Sequence, residues 1–471
     1  MASTMMARNP LTGVEDYRFE VADEAAVANA CARVRAASAR WRELGVSGRA
    51  QALGELAKAF AANAEQLRES LQVDTGRHRI AAIETAAVGE MIQRAIDAAA
   101  IVLRNDAQRP AAIPGISGRQ QLVPYPVVGV IAPWNFPVIL SMIDLLPALA
   151  AGCGVVLKPS EVTPRYVEPL RRIFDAVPAV RDVVAIVRGP GSTGAALIDH
   201  VDAVVCTGSV RTGRLVAEHA ARRFIPAFLE LGGKDPAIVT ADADLDTAAT
   251  AIVRASLLAS GQACQSLERV YADRRIHDAL LARIVAQTRT VKLTCDDPKG
   301  QIGPFIMARQ ADIVREHIDD ALARGAKLEV GGKIIDKGGR WCEATVLSAV
   351  NHSMKVMKEE TFGPVIPVMP FDGLDEAIAL ANDTEYGLSA NVFAGDEATA
   401  ERIASALDAG FISIGDASLS SMVMDFEWEG TRLSGLGRAR LGKAGVARYL
   451  QVKAIVRQNA APAGIAVGAD R

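Results

Sequence analysis

Residues 127–207 impose the strongest constraint on the fold, because short apolar segments at 128–131, 154–157, 183–186 and 203–206 alternate there with helical stretches such as 138–151. Strands that are apolar throughout must be covered on both faces. The alternation therefore predicts a mostly parallel sheet with helices on each side, and ligands of such sheets sit beyond the carboxyl ends of the strands. A second α/β region is expected from about Pro236 to Arg438, with strands at 237–239, 344–347 and 364–368 and helices at 244–258 and 311–324. A chain of 471 residues exceeds one ordinary core and should divide into two or three domains.

Upstream, three Ala- and Leu-rich stretches at 24–41, 48–73 and 81–103 have helical periodicity and polar faces. Residues 105–126 change character, with Pro and Gly between short extended pieces, as in a hairpin that leaves the domain body. A late strand at 449–456 suits pairing with another subunit's edge, and the small-residue tail from Ala460 is expected to be less ordered.

The 52 basic and 55 acidic residues nearly balance, giving no field that would gather nucleic acid or an anionic membrane. The apolar stretch 128–157 is broken by Asn135 and Asp144, which argues against a membrane span. Six dispersed cysteines form no CxxC and read as free thiols in a reducing compartment; residues 1–10 lack a signal-peptide core, so the cytoplasm is the expected location. The histidines form no HExxH, so no metal site is expected, and neither a GxSxG elbow nor a Walker sequence occurs.

Several residues could carry chemistry. Cys264 follows Ser260-Gly261-Gln262, a turn that could precede a helix, and a helix N-terminus would favour the thiolate; a buried structural thiol is the plainer alternative. Glu230 lies between Leu229 and Leu231, where burial would raise its pKa toward that of a general base, although a surface charge before Gly232-Gly233 fits the local sequence too. Asn135, between Pro133 and Pro137, could present its side-chain amide to a developing oxyanion or cap the following helix. Gly208 to Gly213 could seat a pyrophosphate at a helix N-terminus or be an ordinary turn. Lys158 and Glu161 could bind ribose hydroxyls, as could Glu360, with Phe362 offering a flat face to a ring; solvated or core roles remain open for all four.

In chain order, the pieces 133–137, 158–161, 207–209 with Gly213, 230–234, 261–264 and 360–364 resemble the NAD(P)-dependent aldehyde dehydrogenase superfamily, and the resemblance runs from about Asn9 to Val456. It implies a Rossmann-like nucleotide-binding domain at 1–106 and 127–232, an α/β catalytic domain at 233–445, and a small β oligomerisation element with the tail at 107–126 and 446–471. It carries the role of nucleophile onto Cys264, general base onto Glu230, and oxyanion stabilisation onto Asn135 and the Cys264 backbone N–H. Adenosine-ribose contacts fall on Lys158 and Glu161, a pyrophosphate contact on Ser209, and the nicotinamide end on Glu360 and Phe362. The remaining cofactor contacts implied are Ile131, Pro133, Trp134, Ser160, Gly191, Gly208, Gly213 and Leu231.

The implied reaction is oxidation of an aldehyde to its acid through a thiohemiacetal and a thioester. NAD is the expected cofactor, with NADP a weaker alternative because the Glu161 carboxylate would repel a 2′-phosphate. The partners implied are aldehyde, water and further copies of the chain, as a homodimer or a dimer of dimers. Phe136, Leu140, Ile143, Met422, Met424 and Trp428 could line an apolar entrance suited to aromatic or medium-chain aliphatic aldehydes, or could be helix core. A CoA-acylating enzyme is the nearest alternative, and a non-catalytic protein on the same fold a more distant one. Two departures from the family stand out: residues 427–435 lack its usual Pro and first Gly, and Ala439 stands where glutamate is frequent.

Overall fold

The computed structural model describes residues 3–104 and 107–461. Its first large sheet has six strands in the spatial order Gly435–Leu436, Ala227–Glu230, Ala203–Thr207, Val127–Ile131, Gly154–Lys158, Val184–Ile186. All neighbours run parallel except Gly435–Leu436, which pairs antiparallel with Ala227–Glu230. Every residue of the strands Val127–Ile131, Gly154–Lys158 and Ala203–Thr207 is buried, as their unbroken apolar character requires. The order of connection reverses between Val127–Ile131 and Ala203–Thr207. This places a topological switch, the usual crevice for a dinucleotide, at their carboxyl ends.

Helices cover both faces. Glu24–Glu43 is capped by Asp23, whose carboxylate accepts from Ala26 N at 2.8 Å. It packs so near the sheet that a Cβ at Gly154 would stand 2.4 Å from Val34 Cγ1, so only glycine fits at that strand start. The stretch expected to be helical at 48–73 is two helices, Gly45–Ala62 and Ala64–Thr75; the chain breaks at Asn63, whose own amide donates back to Ala59 O at 2.8 Å. His78–Val102 completes this layer. Trp41, Leu53, Leu56, Phe60, Leu145 and Leu149 share one core with the sheet, and Trp41 Nε1 donates to Leu149 O at 2.9 Å.

The second sheet has seven strands in the order Lys327–Val330, Thr345–Ser348, Val365–Phe371, Leu267–Asp273, Asp235–Val239, Ser389–Phe393, Phe411–Ile414, with only the first antiparallel to its neighbour. No helix follows Cys264: a turn leads directly into Leu267–Asp273, which corrects the expectation of a helical run there. The Asp235–Val239 strand starts a few residues after Ala227–Glu230 ends, so the crossing between the two sheets passes through Gly232-Gly233.

A third sheet joins Leu450–Gln458, Ile116–Pro124 and Arg109–Pro110 in antiparallel order, from Leu450 opposite Pro124 to Gln458 opposite Ile116. The late strand thus pairs first within its own chain, while Val452 and Val456 remain exposed. Residues 462–471, most of the tail expected to be less ordered, lie outside the described residues. Among the described residues no helix is long and apolar enough to cross a membrane, and no group of three or more His, Cys, Asp or Glu could hold a metal ion.

Candidate active site

Cys264 lies on the turn after the short helix Leu258–Gly261 and is partly accessible, whereas Cys31, Cys153, Cys206 and Cys342 are buried. The backbone before it is held in an unusual shape. Ala259, Ser260 and Gly261 are successively left-handed, at φ 53°, 62° and 69°. A non-glycine residue in that region costs about 1–3 kcal/mol and persists only where its surroundings insist on it. Here they do: Ser260 Oγ accepts from Gly303 N at 2.8 Å, Gln262 Nε2 donates to Pro304 O at 3.0 Å, and Gln262 Oε1 accepts from Ile306 N at 3.0 Å.

Asn135 reaches this loop from the first sheet, its Nδ2 donating to Gln262 O at 3.1 Å. It does not cap the helix Ile139–Ala151. That task falls to Glu84, whose Oε2 accepts from Val138 N at 3.0 Å and Ile139 N at 3.2 Å. Asn135 is instead tethered at its backbone oxygen, which accepts from the buried Arg77 guanidinium.

From the third direction come Gly232 and Gly233. A Cβ on Gly233 would lie 2.5 Å from Cys264 O, and one on Gly232 would lie 2.5 Å from Glu360 Oε2. Glu360 also accepts from Gly233 N at 3.2 Å. Glu230, immediately upstream, is buried, and its carboxylate makes no hydrogen bond among the described residues. Burial raises its pKa, with Arg440 and Arg448 pulling it down and Asp144 and Glu429 pushing it up.

The Cys264 thiol is pushed up to about 12, first by burial and then by Glu360, Asp235 and Glu230, with Arg440 opposing. This reverses the expected lowering. The helix N-terminus that was to stabilise a thiolate is absent, and the neighbouring charges are mainly carboxylates. These surroundings favour the neutral thiol over the thiolate.

At the switch point, Ile131 is in register with both Lys158 and Cys206, so these strand ends are level. Lys158 Nζ donates to Glu161 Oε2 at 2.8 Å, and Ser160 Oγ accepts from Val162 N at 3.2 Å. Gly208 N bonds to Glu230 O at 3.1 Å, and Ser209 caps the helix Val210–Arg223 by accepting from Thr212 N at 3.3 Å. Gly213, on that helix, faces Leu231 so closely that a Cβ would meet Leu231 Cδ1 at 2.5 Å. Gly191 opens the helix Gly191–Ile198, and a Cβ built on it would meet no atom within 4 Å. Near Cys264, the rings of Trp134 and Phe362 meet edge to face, 5.4 Å between centroids; Pro133 precedes Trp134 on the same loop.

The candidate pocket residues are less unified. Phe136 lies beneath the Arg77 guanidinium, 5.1 Å from its ring centre; Ile143 is buried, while Leu140 and Met424 are half-buried. Trp428 packs edge-on against Phe411 at 5.9 Å, and Met422 is exposed.

Sequence reasoning missed Arg77, Glu84, Glu268, Arg440 and Arg448, and the supporting roles of Gln262, Lys234 and Asp144; all are buried. Charged residues inside otherwise apolar stretches, such as Glu268-Arg269 before Val270, were the available signal.

The chain belongs to the aldehyde dehydrogenase family, whose profile matches residues 1–455. It is accordingly an NAD(P)-dependent aldehyde dehydrogenase of the non-CoA-acylating branch, oxidising an aldehyde to its acid. Among its relatives, 4,4'-diapolycopene aldehyde oxidase of Methylomonas sp is 39% identical over 441 residues, covering 93% of this chain and 82% of the relative. The solved structure of PutA from Anabaena variabilis superposes with a TM-score of 0.96 at 47% identity, covering 98% of this chain and 99% of that one. The NAD-dependent aldehyde dehydrogenase from Sinorhizobium meliloti superposes with a TM-score of 0.92 at 32% identity, covering 98% and 93%.

Proposed function

We propose that Cys264 is the nucleophile, that Asn135 Nδ2 and the Cys264 backbone N–H stabilise the oxyanion, and that Glu230 activates the hydrolytic water. The preferred substrates are aromatic or medium-chain aliphatic aldehydes, with NAD favoured over NADP. One observation carries this reading: the Asn135 amide is fixed at 3.1 Å from Gln262 O, two residues from the thiol, although the two segments are far apart in sequence. An oriented amide donor is worth about 2.7–4 kcal/mol to an oxyanion.

The chain's residues fit the dinucleotide. The topological switch lies at the strand ends, and the helix Val210–Arg223, capped at its start by Ser209, begins just beyond the Ala203–Thr207 strand, which suits a pyrophosphate there. Lys158 and Glu161 would hold the adenosine ribose, Ser209 the pyrophosphate, and Glu360 and Phe362, with Trp134, the nicotinamide end. Bound NAD supplies the carbon that accepts hydride and a positive ring charge beside the thiol.

After its proton passes to water, Cys264 Sγ attacks the aldehyde carbon, and the oxygen takes up the negative charge between Asn135 Nδ2 and the Cys264 N–H. Loss of hydride from that carbon leaves a thioester on Sγ. Glu230, poised as a base by burial, takes a proton from water as the water attacks the thioester, and the thiolate leaves with release of the acid. A base so placed shortens the life of a thioester that transfer to CoA would require.

Exposed Val452 and Val456 on the Leu450–Gln458 strand support assembly of chains into a dimer or dimer of dimers through the three-stranded sheet. On this reading residues 1–106 with 127–232 form the nucleotide-binding domain, 233–445 the catalytic domain, and 107–126 with 446–471 the oligomerisation element, in a cytoplasmic enzyme.

Hexanal and benzaldehyde with NAD should yield NADH and acid in equal amounts without CoA. Cys264→Ala should lose all turnover while keeping its fold, and residual turnover in that variant would eliminate the nucleophile. Strict dependence on CoA would overturn the hydrolytic step.

A further inference from the structure

Two buried guanidinium groups lie beneath the candidate site with no part yet in its chemistry. Arg440 Nη2 donates to Asp144 Oδ2 at 2.6 Å and to Thr207 Oγ1 at 3.0 Å. Arg448 Nη2 donates to the other Asp144 oxygen and to the Tyr449 hydroxyl. One carboxylate thus faces two cations, so a full positive charge is left over in the interior. The Nε of each arginine is buried without a hydrogen-bond partner. Such a surplus is costly unless another anion answers it.

The anion in position is Glu230. Thr207, which anchors Arg440, is the direct cross-strand partner of Glu230 in the parallel pair Ala203–Thr207 and Ala227–Glu230. Paired residues of neighbouring strands project from the same face, about 5 Å apart. The guanidinium held on Thr207 is therefore beside the Glu230 side chain, whose carboxylate has no hydrogen-bond partner among the described residues. Arg440 and Glu230 act on one another electrostatically, and Arg440 also acts on Cys264. Ala439, next to it, carries no ionisable group and is buried.

We propose that Arg440 is a positioning residue for Glu230, a fixed counter-charge pinned by Asp144 and Thr207 that keeps the Glu230 carboxylate available to the water that cleaves the thioester. This rests on the roles given above to Cys264 and Glu230. A general base needs a neighbouring cation that neither neutralises it nor binds it rigidly. A guanidinium whose strong hydrogen bonds are already committed to Asp144 and Thr207 offers attraction with a free Nε. The other charges facing Glu230 are Arg448, Asp144 and Glu429, with Cys264 across the site; of these the two carboxylates oppose its ionisation and Arg448 assists.

The test uses the full chain with NAD and sub-stoichiometric hexanal. First-turnover NADH reports acylation, and intact-protein mass follows decay of the acyl-enzyme from pH 5 to 9. In Arg440→Gln the acyl-enzyme should still form but decay about tenfold more slowly at neutral pH, with the midpoint of its pH profile moved up by about one unit, since one unit of pKa is a factor of ten. Arg440→Lys should hold the midpoint within about half a unit of the wild type because it keeps the charge. An unmoved midpoint in Arg440→Gln overturns the proposal. Should that variant fail to fold, Thr207→Val, which removes only the anchor, decides in its place: an upward shift of about 0.3 unit or more supports the proposal and none overturns it. Wild-type protein that forms no acyl-enzyme with an aldehyde it turns over sinks the role of Cys264 and this inference together, a failure distinguishable from an unmoved midpoint.

Discussion

Lys234 Nζ and Glu268 Oε2 form an ion pair of 2.5 Å with both side chains buried. The pair does more than neutralise itself. Glu268 also accepts from Thr361 N at 2.7 Å and Phe362 N at 2.8 Å, and Lys234 donates to Thr361 Oγ1 at 2.9 Å. The loop carrying Glu360 and Phe362 is thereby fixed to the strand that follows the Cys264 turn.

Glu268→Gln keeps the shape but leaves the buried Lys234 ammonium without its ion-pair partner. Such a break costs about 3–5 kcal/mol. We expect a marked fall in Tm, and weaker NAD binding in calorimetry at temperatures where the variant is folded. Unchanged NAD affinity would detach this pair from the cofactor end.

The strands at 127–207 were legible because residues buried on both faces are apolar throughout, and nothing polar interrupts Val127–Ile131 or Ala203–Cys206. Leu267–Asp273 was not, since Glu268 and Arg269 occupy its beginning; their burial depends on Lys234 and on the Lys234 and Ala381 carbonyls that accept from Arg269 at 2.8 Å each, partners that only folding brings near. The break at Asn63 carried no Gly or Pro to mark it. Cys264, Asn135 and Glu230 could be picked out by their motifs, yet the direction of the thiol's pKa was misread because it depended on a helix that is not there. Arg77, Glu84 and Arg440 belong to no local pattern, and their roles arise from contacts across tens or hundreds of residues.

Glu84 is held near pKa 7, raised first by burial and drawn down by Arg77 and by the N–H groups of Ile139 and Val138. Its Oε1 is buried without a partner. A folded-state pKa above the unfolded one means that the stabilising contribution is complete below the unfolded value and is lost as pH rises through the folded value. Between about pH 5 and 7, stability should fall by up to about 1.4 kcal/mol per pH unit for this one proton. Glu84→Gln keeps an oxygen for the Val138 and Ile139 N–H groups and cannot ionise. Its Tm should match the wild type near pH 5 and exceed it at pH 8, and parallel profiles for the two proteins would contradict the assignment.

With its thiol held near pKa 12, Cys264 in the protein without cofactor should react slowly with iodoacetamide at pH 7, and the rate should climb through pH 9 without levelling off. Peptide mapping would separate it from Cys295, the other partly accessible cysteine. NAD should accelerate alkylation at Cys264 by bringing positive charge to a site crowded with carboxylates. A plateau below pH 8 in the cofactor-free protein would show that its surroundings favour the thiolate after all.

On the proposed reading cofactor choice turns on Glu161, which the 2.8 Å bond from Lys158 holds just beyond the end of the Gly154–Lys158 strand. Lys158 alone would welcome a 2′-phosphate, whereas the carboxylate paired with it cancels that attraction and adds direct repulsion. Glu161→Ser removes the repulsion and frees the ammonium. The ratio of kcat/KM for NADP to that for NAD should rise by at least about tenfold, equivalent to about 1.4 kcal/mol, an ordinary effect for one negative charge removed beside a phosphate. Most of the change should appear in KM for NADP, because the substitution lies at the adenosine end, away from Cys264 and Glu230. An unchanged ratio would mean that the ribose is oriented by groups other than this pair.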